Sequence, residues 1–320
     1  MRVALIGYGN VGKAFARLLQ DKRATYPFRI VGLHTAHHGT VYNSKGVEHE
    51  PAWGTSASSV DEFLECAQPE VAIEITTLNP VNGEPAIGHI RSAFARGIHV
   101  ITANKGPIAN AYSQLQREAR ENQVEFRFES TVMDGTPIFS NFRNNLPGVK
   151  ILGFRGVLNS TSKVVLAAMQ RGLSMEEGIR EAQQMGVAEA DPWYDIDGWD
   201  SAAKAAALAN VLMAAGTTPQ QVDRRGLRDM DPGEPARLAR TGQTIQLVCS
   251  GKLIEGTVRL KVEPEVLSET DLLATVAGTS NLLLVDTDLM GTIGTLSINP
   301  GVQQTAYGLF SDLVDIAKSV

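Results

Sequence analysis

A glycine-rich turn follows the first apolar segment, and it constrains the fold more than any other feature of the chain. Residues 3–6 are typical of a buried parallel strand, the run Gly7-Tyr8-Gly9-Asn10-Val11-Gly12 comes next, and residues 13–19 have helical spacing. In a strand–G-x-G-x-x-G–helix unit, the glycines permit a tight turn, approach of a pyrophosphate and close helix packing. The helix N-terminus offers N–H groups to the phosphates. We therefore predict a Rossmann-like dinucleotide domain, with Gly7, Gly9, Asn10, Val11 and Gly12 as cofactor contacts.

Polar residues stand where two further strands of this domain are predicted to end. Strands are expected at residues 28–33, 71–75, 99–101 and 125–128, with helices at 84–96 and 111–121. Ligands bind at the carboxyl ends of strands in such sheets. Thr76, Thr102 and Lys105 are therefore candidate cofactor contacts, and Lys105 is expected beside the nicotinamide. The alternative for Lys105 is a solvated loop residue.

The end of the second predicted strand lacks the acidic residue that binds the ribose in NAD-specific domains. The sequence there is His34-Thr35-Ala36-His37-His38-Gly39, with Lys45 nearby. His37, His38 and Lys45 could attract a 2′-phosphate, which favours NADP over NAD as the cofactor. A solvated loop with incidental histidines is the alternative, and the histidine spacing indicates no metal site.

An acidic segment, residues 186–204, is the strongest candidate for chemistry. Asp200 and Lys204 lie four residues apart on a predicted helix and therefore share one face. Glu189, Asp195 and Asp197 precede that helix, so the carboxylates are expected to converge on one spot. A surface ion pair is the simpler alternative. The surrounding alanines and leucines instead predict a helix buried almost all round, and a buried lysine is costly unless it is used or fully paired.

The remainder of the chain predicts an α+β second domain built on one sheet. Strands are expected at 150–158, 243–249, 256–262, 281–286 and 292–298, and helices follow the caps Asn159-Ser160-Thr161-Ser162 and Ser174-Met175-Glu176-Glu177. A last helix, 305–318, is expected to pack back on the first domain. We predict an α/β NAD(P)-binding domain at 1–135, completed by the helical segment 301–320, and a substrate-binding and dimerisation domain at 136–300.

Bulk properties exclude several classes of protein. The length of 320 residues suggests two domains, and the net charge of −6 gives no support for nucleic-acid or anionic-membrane binding. Two cysteines and the lack of a long apolar run predict a cytoplasmic protein without disulfides or membrane spans.

The whole chain resembles homoserine dehydrogenase in its short form without a regulatory domain. The resemblance is carried by the glycine turn, Thr102-Ala103-Asn104-Lys105, Gly156-Val157-Leu158-Asn159, and Ala188-Glu189-Ala190-Asp191-Pro192 through Asp195, Gly198, Asp200 and Lys204. It implies NAD(P)-linked, reversible reduction of L-aspartate 4-semialdehyde to L-homoserine, in the biosynthesis of threonine and methionine. It also implies a homodimer formed through the sheet of the second domain.

The resemblance further implies roles for individual residues. Lys105 and Lys204 match the paired catalytic lysines, with Asp200 holding Lys204. Glu189 and Asp195 match the acids that bind the substrate amino group, and Thr161 matches a substrate contact. A structural Na⁺ or K⁺ is implied at the positions Glu129, Val132, Asp134 and Thr136.

Four departures from the family pattern leave alternatives open. Ser160, Lys163 and Val187 stand where the family usually has Gly, Asn and Tyr, and the late glycine turn near residue 300 is also altered. A related dehydrogenase acting on another hydroxy or amino acid is therefore a second hypothesis. A non-enzymatic nucleotide sensor is a third, although it would not need Asp200 and Lys204.

Overall fold

A computed structural model describes residues 1–79 and 81–319. It divides into two compact units, one comprising Met1–Asn141 with Gly301–Val320 and the other Phe142–Pro300. The first is called here the nucleotide unit and the second the sheet unit.

The nucleotide unit contains a six-stranded sheet of Rossmann type. Its strands and helices are β1 (Arg2–Ile6), α1 (Asn10–Asp21), β2 (Arg29–Thr35), β3 (Gly39–Tyr42), α2 (Val60–Ala67), β4 (Val71–Glu74), α3 (Ala86–Phe94), β5 (His99–Thr102), α4 (Lys105–Glu121) and β6 (Phe126–Arg127). The strand order is β3-β2-β1-β4-β5-β6. All neighbouring strands are parallel except β3, which runs antiparallel to β2. The predicted Rossmann-like sheet is confirmed.

Two local features of this unit differ from the sequence-based prediction. The stretch after β2 turns back as strand β3, because Gly39 at φ +105° reverses the chain within a few residues of Thr35. Helix α4 begins at Lys105 and includes Pro107 in its first turn. Proline is tolerated there because the first N–H groups of a helix have no partner within it.

The sheet unit is an α+β fold on a second six-stranded sheet. After α5 (Phe139–Asn145), which crosses the boundary between the units, it contains β7 (Ile151–Val157), α6 (Ser160–Gln170), α7 (Met175–Gln184), α8 (Trp193–Ile196), α9 (Trp199–Leu212), β8 (Asp223–Arg224), α10 (Glu234–Ala239), β9 (Thr244–Ile254), β10 (Thr257–Leu267), β11 (Asn281–Thr287) and β12 (Gly291–Ser297). The strand order is β12-β11-β7-β9-β10-β8. The predicted cap of α6 at Asn159 and the capping box of α7 are both present.

The two faces of this sheet have different chemistry. Phe154, Gly251, Leu260 and Val285 lie directly opposite one another on adjacent strands and are buried. The next residues along the strands, which include Arg155, Ser250, Lys261 and Leu284, point to the other face and are half-buried or exposed. One face is therefore packed along its length. The other, called here the polar face, has the buried apolar residues Val157, Val248, Leu267 and Leu282 in one part and half-buried or exposed residues in the rest.

The last helix, α11 (Val302–Ser319), belongs to the nucleotide unit. Its buried residues share a core with Phe15 and Leu19 of α1, and they are Ala306, Leu309, Phe310, Leu313 and Ile316. Arg127 donates to Asp315 at 2.8 Å, which fastens the helix to the end of β6. Helix α11 therefore packs against α1 within the nucleotide unit.

The described part of the chain has no helix of the length and apolar character required to cross a membrane.

Candidate active site

A buried ion pair at the start of α9 is the centre of the polar cluster in the sheet unit. The Nζ atom of Lys204 lies 3.0 Å from Oδ2 of Asp200, and the two side chains are only 15% and 9% exposed. The same Nζ donates to the carbonyl oxygen of Leu158 at 2.5 Å. The pair is held in a helix that is buried on most sides, as its alanine-rich sequence predicts. These contacts fix the position of the ammonium group.

Asn159 joins this ion pair to a second carboxylate. Its Nδ2 donates to Oδ2 of Asp200 at 2.9 Å and to Oδ1 of Asp195 at 2.8 Å. Its Oδ1 accepts from the backbone N–H of Ser162 at 2.8 Å, where Asn159 caps α6. The whole side-chain amide is thus engaged and its orientation is set by the helix start. Sequence analysis identified Asn159 as a cap but missed that it bridges the two acids.

Thr161 has one hydroxyl hydrogen and two acceptors within reach. Its Oγ1 lies 2.7 Å from Oδ2 of Asp195 and 3.0 Å from the carbonyl oxygen of Val187. If Asp195 is ionised, Thr161 donates to it. If Asp195 is protonated, it can donate to Thr161, and Thr161 then donates to Val187. The arrangement accommodates both protonation states of Asp195.

The electrostatics favour the neutral form of Asp195 more than in water. Burial raises the pKa of Asp195, and the adjacent carboxylate of Asp200 raises it further, while hydrogen bonds from Thr161 and Asn159 and the charge of Lys204 act in the opposite direction. Burial likewise raises the pKa of Tyr194, and the negative charges of Asp200 and Asp195 raise this pKa further. That hydroxyl is buried and has no hydrogen-bond partner among the described residues. Sequence analysis did not single out Tyr194.

One of the acids predicted to converge here lies elsewhere. Asp197 accepts two hydrogen bonds from the guanidinium of Arg228, at 2.9 and 2.8 Å, so the expectation that it joins the cluster is wrong. The reason is the short helix α8, which gives Asp195 and Asp197 different directions. Glu189 is exposed, and its backbone carbonyl accepts from Gln183 at 3.1 Å.

The glycine turn after β1 has the geometry that a bound pyrophosphate requires. A side chain at Gly7 would place a Cβ 2.5 Å from the carbonyl oxygen of Ile75, so the close approach of β4 excludes one. The corresponding position at Gly9 is open space, and no side chain caps α1 at this residue. Asn10 is exposed and Val11 half-buried at the helix start. The turn therefore fits a dinucleotide cofactor.

Buried Glu74 organises the neighbouring strand ends. Its carboxylate accepts from the hydroxyl of Thr102 at 2.8 Å and from the hydroxyl and the backbone N–H of Thr76. The Thr102 hydroxyl also accepts from the N–H of Asn104, the residue that caps α4 directly before Lys105. The hydroxyls of Thr76 and Thr102 therefore stabilise these strand ends and the turn before α4 by hydrogen bonds within the protein. Sequence analysis missed Glu74. Its position at the end of a central strand, two residues before Thr76, was a signal that it has a polar role there.

Glu129 fits a helix cap better than a cation ligand. Its carboxylate accepts from the backbone N–H groups of Ile138, Phe139 and Ser140 at 2.6–2.8 Å, at the start of α5. A carboxylate accepts about four hydrogen bonds, so little of its capacity remains for a cation. In the described residues, no group of three or more His, Cys, Asp or Glu side chains is arranged to hold a metal ion.

The basic residues near the end of β2 are not gathered in one place. His38 lines a cavity together with Tyr8 and Trp53, whereas Lys45 lines a different cavity beside Arg23. His37 lines neither of these cavities. Of the three residues predicted to attract a 2′-phosphate, only His38 therefore faces the cavity next to the glycine turn.

We predict that the stability of the Asp195→Asn variant, measured relative to that of the wild type, increases as the pH rises. An aspartate whose pKa is raised on folding binds its proton more tightly in the folded state. The stability of the wild type therefore falls as the pH rises from the ordinary aspartate pKa of 3.8 through the raised pKa of the folded state. Asparagine escapes this loss, since its carbonyl can accept from Asn159 and its amide can donate to Thr161. Urea unfolding at pH 4 to 8 measures the difference, with exposed Asp229→Asn as control. A variant that is most destabilised at high pH would contradict the prediction.

Comparison with protein families supports one assignment for both units. Residues 137–314 match the family described as homoserine dehydrogenase, and residues 7–129 match the homoserine dehydrogenase NAD-binding domain. An NAD(+)-dependent homoserine dehydrogenase of Pseudomonas canavaninivorans is 33% identical, over 99% of this chain and 96% of that protein. Homoserine dehydrogenase of Methanocaldococcus jannaschii is 34% identical, over 100% of this chain and 99% of that protein.

Solved structures agree with these relatives. A hyperthermophilic archaeal homoserine dehydrogenase in complex with NADPH superimposes with a TM-score of 0.85 at 27% identity, covering 100% of this chain and 98% of that one. The enzyme from Thiobacillus denitrificans gives a TM-score of 0.85 at 26% identity, covering 99% of this chain and 73% of that one. The chain belongs to the homoserine dehydrogenase family of NAD(P)-dependent oxidoreductases.

Proposed function

We propose that the protein catalyses the reversible reduction of L-aspartate 4-semialdehyde to L-homoserine, with Lys204 and Lys105 assisting proton transfer. The observation that carries this proposal is the buried network of Lys204, Asp200, Asn159, Asp195 and Thr161. In this network the Lys204 ammonium group is connected to the Asp195 carboxylate through Asp200 and Asn159.

Lys204 has the contacts expected of a proton donor to the substrate oxygen. When bound, the nicotinamide cofactor supplies a hydride to the aldehyde carbon, which leaves negative charge on the oxygen. A positioned ammonium group stabilises that charge and transfers a proton to form the alcohol. In the reverse direction, the neutral amine accepts the hydroxyl proton. Asp200 and the Leu158 carbonyl hold Nζ in place, and Asp200 favours its charged form.

Lys105 is proposed as the second catalytic lysine. It is the first residue of α4, directly after the end of β5, and it is half-buried. The hydrogen bonds from Glu74 through Thr102 to Asn104 fix the turn that carries it. We therefore assign Thr102 and Thr76 to shaping this turn, and Gly7, Gly9, Asn10, Val11 and Gly12 to cofactor binding.

The carboxylates provide for a substrate that carries an ammonium group. Asp195 retains acceptor capacity beyond its bonds to Asn159 and Thr161, since a carboxylate accepts about four. A bound ammonium would favour its ionised form. Glu189 is assigned to the same amino group on the family resemblance, and its exposure leaves it accessible. Thr161 is assigned to the substrate site through Asp195.

The alternative, a dehydrogenase for another hydroxy or amino acid, rests on Ser160, Lys163 and Val187. Ser160 donates to the carbonyl of Thr279 at 3.4 Å, and buried Lys163 donates to the Ser280 carbonyl and to Oδ1 of Asn281 at 3.0 Å. Ser160 and Lys163 thus connect α6 to the start of β11. These contacts give Ser160 and Lys163 a structural use, so neither residue by itself requires a substrate other than homoserine.

Several finer assignments accompany this function. We propose NADP as the preferred cofactor; among relatives, one enzyme is described as NAD(+)-dependent and another is seen with NADPH. A cytoplasmic location fits the free cysteines Cys66 and Cys249. The cation at Glu129, Val132, Asp134 and Thr136 stays a prediction from resemblance, since Glu129 already caps α5.

We propose a homodimer that covers the polar face of the sheet unit. This face carries Arg155 with its partners Glu265 and Asp271, at 2.7 and 3.3 Å, and the edge strand β12 adds Leu296, which is 53% exposed. Arginine is enriched at interfaces between subunits, and the buried centre of such interfaces is more apolar than the rest of the surface. The family resemblance identifies the occupant as a second copy of the chain.

The first prediction from this function concerns substrate choice. The purified protein should oxidise L-homoserine with NADP⁺ or NAD⁺, and L-serine, L-threonine and simple 2-hydroxy acids at least about 100-fold less well in kcat/KM, because these place the reacting carbon differently from the ammonium site. Cofactor absorbance measures the rate. Turnover of another compound with none for homoserine would establish the alternative instead.

The second prediction concerns Lys204. Lys204→Ala should lower kcat by about 10²- to 10⁴-fold, the range that general acid catalysis contributes. Binding of NADPH, measured by fluorescence titration, should remain unchanged. Lys150→Ala, which removes an exposed lysine of the same unit, is the matched control. Normal turnover by Lys204→Ala would refute the proposed role.

The third prediction concerns assembly. Light scattering at micromolar concentration should give twice the 34.4 kDa mass of one chain. Leu296→Glu should shift the protein toward monomer, because it buries a charge in the proposed interface. Leu253→Glu, an exposed leucine at the end of β9, should leave the dimer intact. A monomeric wild type would contradict the proposal.

A further inference from the structure

Helix α8 carries Asp195 but is too short to hold itself in place. It is a single turn of four residues, and forming one turn fixes several backbone angles for few hydrogen bonds. Asn159 and Thr161 contact Asp195 at 2.8 and 2.7 Å, but both contacts are made to its carboxylate. The backbone from which that carboxylate projects therefore needs a separate support.

The segment 224–228 of the sheet unit supplies this support. The N–H of Leu227 donates to the carbonyl oxygen of Ile196, the last residue of α8, at 2.8 Å. Gly226 lies so close to the same stretch of backbone that a Cβ there would be 2.5 Å from Cα of Asp197 and 2.6 Å from the Ile196 carbonyl oxygen. The two backbones are thus in direct contact immediately after the acid.

Two arginines of this segment hold the residues on either side of the acid. The guanidinium of Arg228 lies over the ring of Trp193, 4.0 Å from its centroid, and that of Arg224 lies over Trp199 at 3.8 Å. Arg224 also donates to the backbone carbonyl of Asp197. Arg228 donates to both carboxylate oxygens of Asp197, at 2.9 and 2.8 Å. Trp193 and Trp199 are the first residues of α8 and α9, so the contacts span the turn that carries the acid.

The contacts of Arg228 are better suited to fixing a position than to stabilising the whole fold. Its side chain is 51% exposed, and ion pairs open to solvent contribute little to the free energy of unfolding. A bidentate pair nevertheless restricts orientation, because its two parallel hydrogen bonds require one arrangement of the two planar groups. Removal of this guanidinium should therefore shift α8 and leave the chain folded.

We propose that Arg228 is a positioning residue, which acts through Trp193 and Asp197 to hold the Asp195 carboxylate where it can bind the ammonium group of the substrate. This rests on the proposed function, in which Asp195 receives that ammonium group. Segment 224–228 is called here the arginine clamp. A displacement of about 1 Å in a group that orients the substrate is enough to lower the rate substantially. The clamp thus contributes to the preference for a substrate that carries an amino group.

The first test compares L-homoserine with 4-hydroxybutanoate, the same molecule without its amino group. In Arg228→Ala, the ratio of kcat/KM for homoserine to kcat/KM for 4-hydroxybutanoate should fall about 10-fold, the order expected when one charge-assisted hydrogen bond is weakened. The KM for the cofactor should not change. Arg228→Lys should lower the ratio as well, because lysine keeps the charge but lacks the planar fork. Arg225→Ala removes the neighbouring exposed arginine, which pairs with Glu263 at 3.7 Å, and is the matched control.

A double-mutant cycle shows whether the effect passes through the acid. In the Asp195→Asn background, Arg228→Ala should cause no further loss of kcat/KM for homoserine, since the group that it positions is already changed. Equal losses for both substrates, or losses that multiply in the double variant, would mean general structural damage and would overturn the positioning role.

Amide hydrogen exchange separates this inference from the proposed function, because it needs no substrate. Arg228→Ala should speed exchange in peptides that cover residues 193–199, and Arg225→Ala should not. Faster exchange there, with no homoserine turnover by the wild type, would reject the proposed reaction and leave the clamp on Asp195 supported. Unchanged exchange in these peptides would overturn the clamp, whatever compound the enzyme oxidises.

Discussion

Removing a lysine ammonium and two carboxylates from water is costly, and the polar cluster of the sheet unit depends on offsetting that cost. A buried ion pair contributes to stability only if its remaining donors and acceptors are satisfied. Here Asn159 satisfies Asp200 and Asp195 together, and the Leu158 carbonyl adds a second acceptor for Lys204. Both residues lie at the junction of β7 and α6, so the end of one strand and the start of one helix position the chemical groups.

The nucleotide unit uses a comparable device with different residues. Glu74 gathers the hydroxyls of Thr76 and Thr102 at the ends of two neighbouring strands, and Thr102 in turn fixes the cap of α4. In the sheet unit a buried acid holds a lysine side chain, and in the nucleotide unit a buried acid holds the turn that precedes a lysine. Fully satisfied polar networks of this kind are rigid, which suits the catalytic role proposed for the two lysines.

Much of this could be predicted from the sequence, because the signals were local. The glycine turn, the cap at Asn159 and the four-residue spacing of Asp200 and Lys204 each depend on a few adjacent residues. The errors came from features decided by the tertiary structure. Asp197 turns to Arg228 because one short helix separates its direction from that of Asp195. The hydrogen bond from Thr102 to Glu74 depends on how the strands pair. The separation of Lys45 from the glycine turn depends on the path of a loop. The spacing of residues in the sequence predicts neither.

The position of α11 determines the order in which the chain can fold during synthesis. The nucleotide unit is translated first, but its core includes Leu309, Phe310 and Leu313, which leave the ribosome only after the whole sheet unit. Until then the apolar surface of α1 that these residues cover has no partner from the chain. The sheet unit, whose contacts lie within one continuous segment, can complete its fold earlier. The unit that begins the chain is therefore completed last.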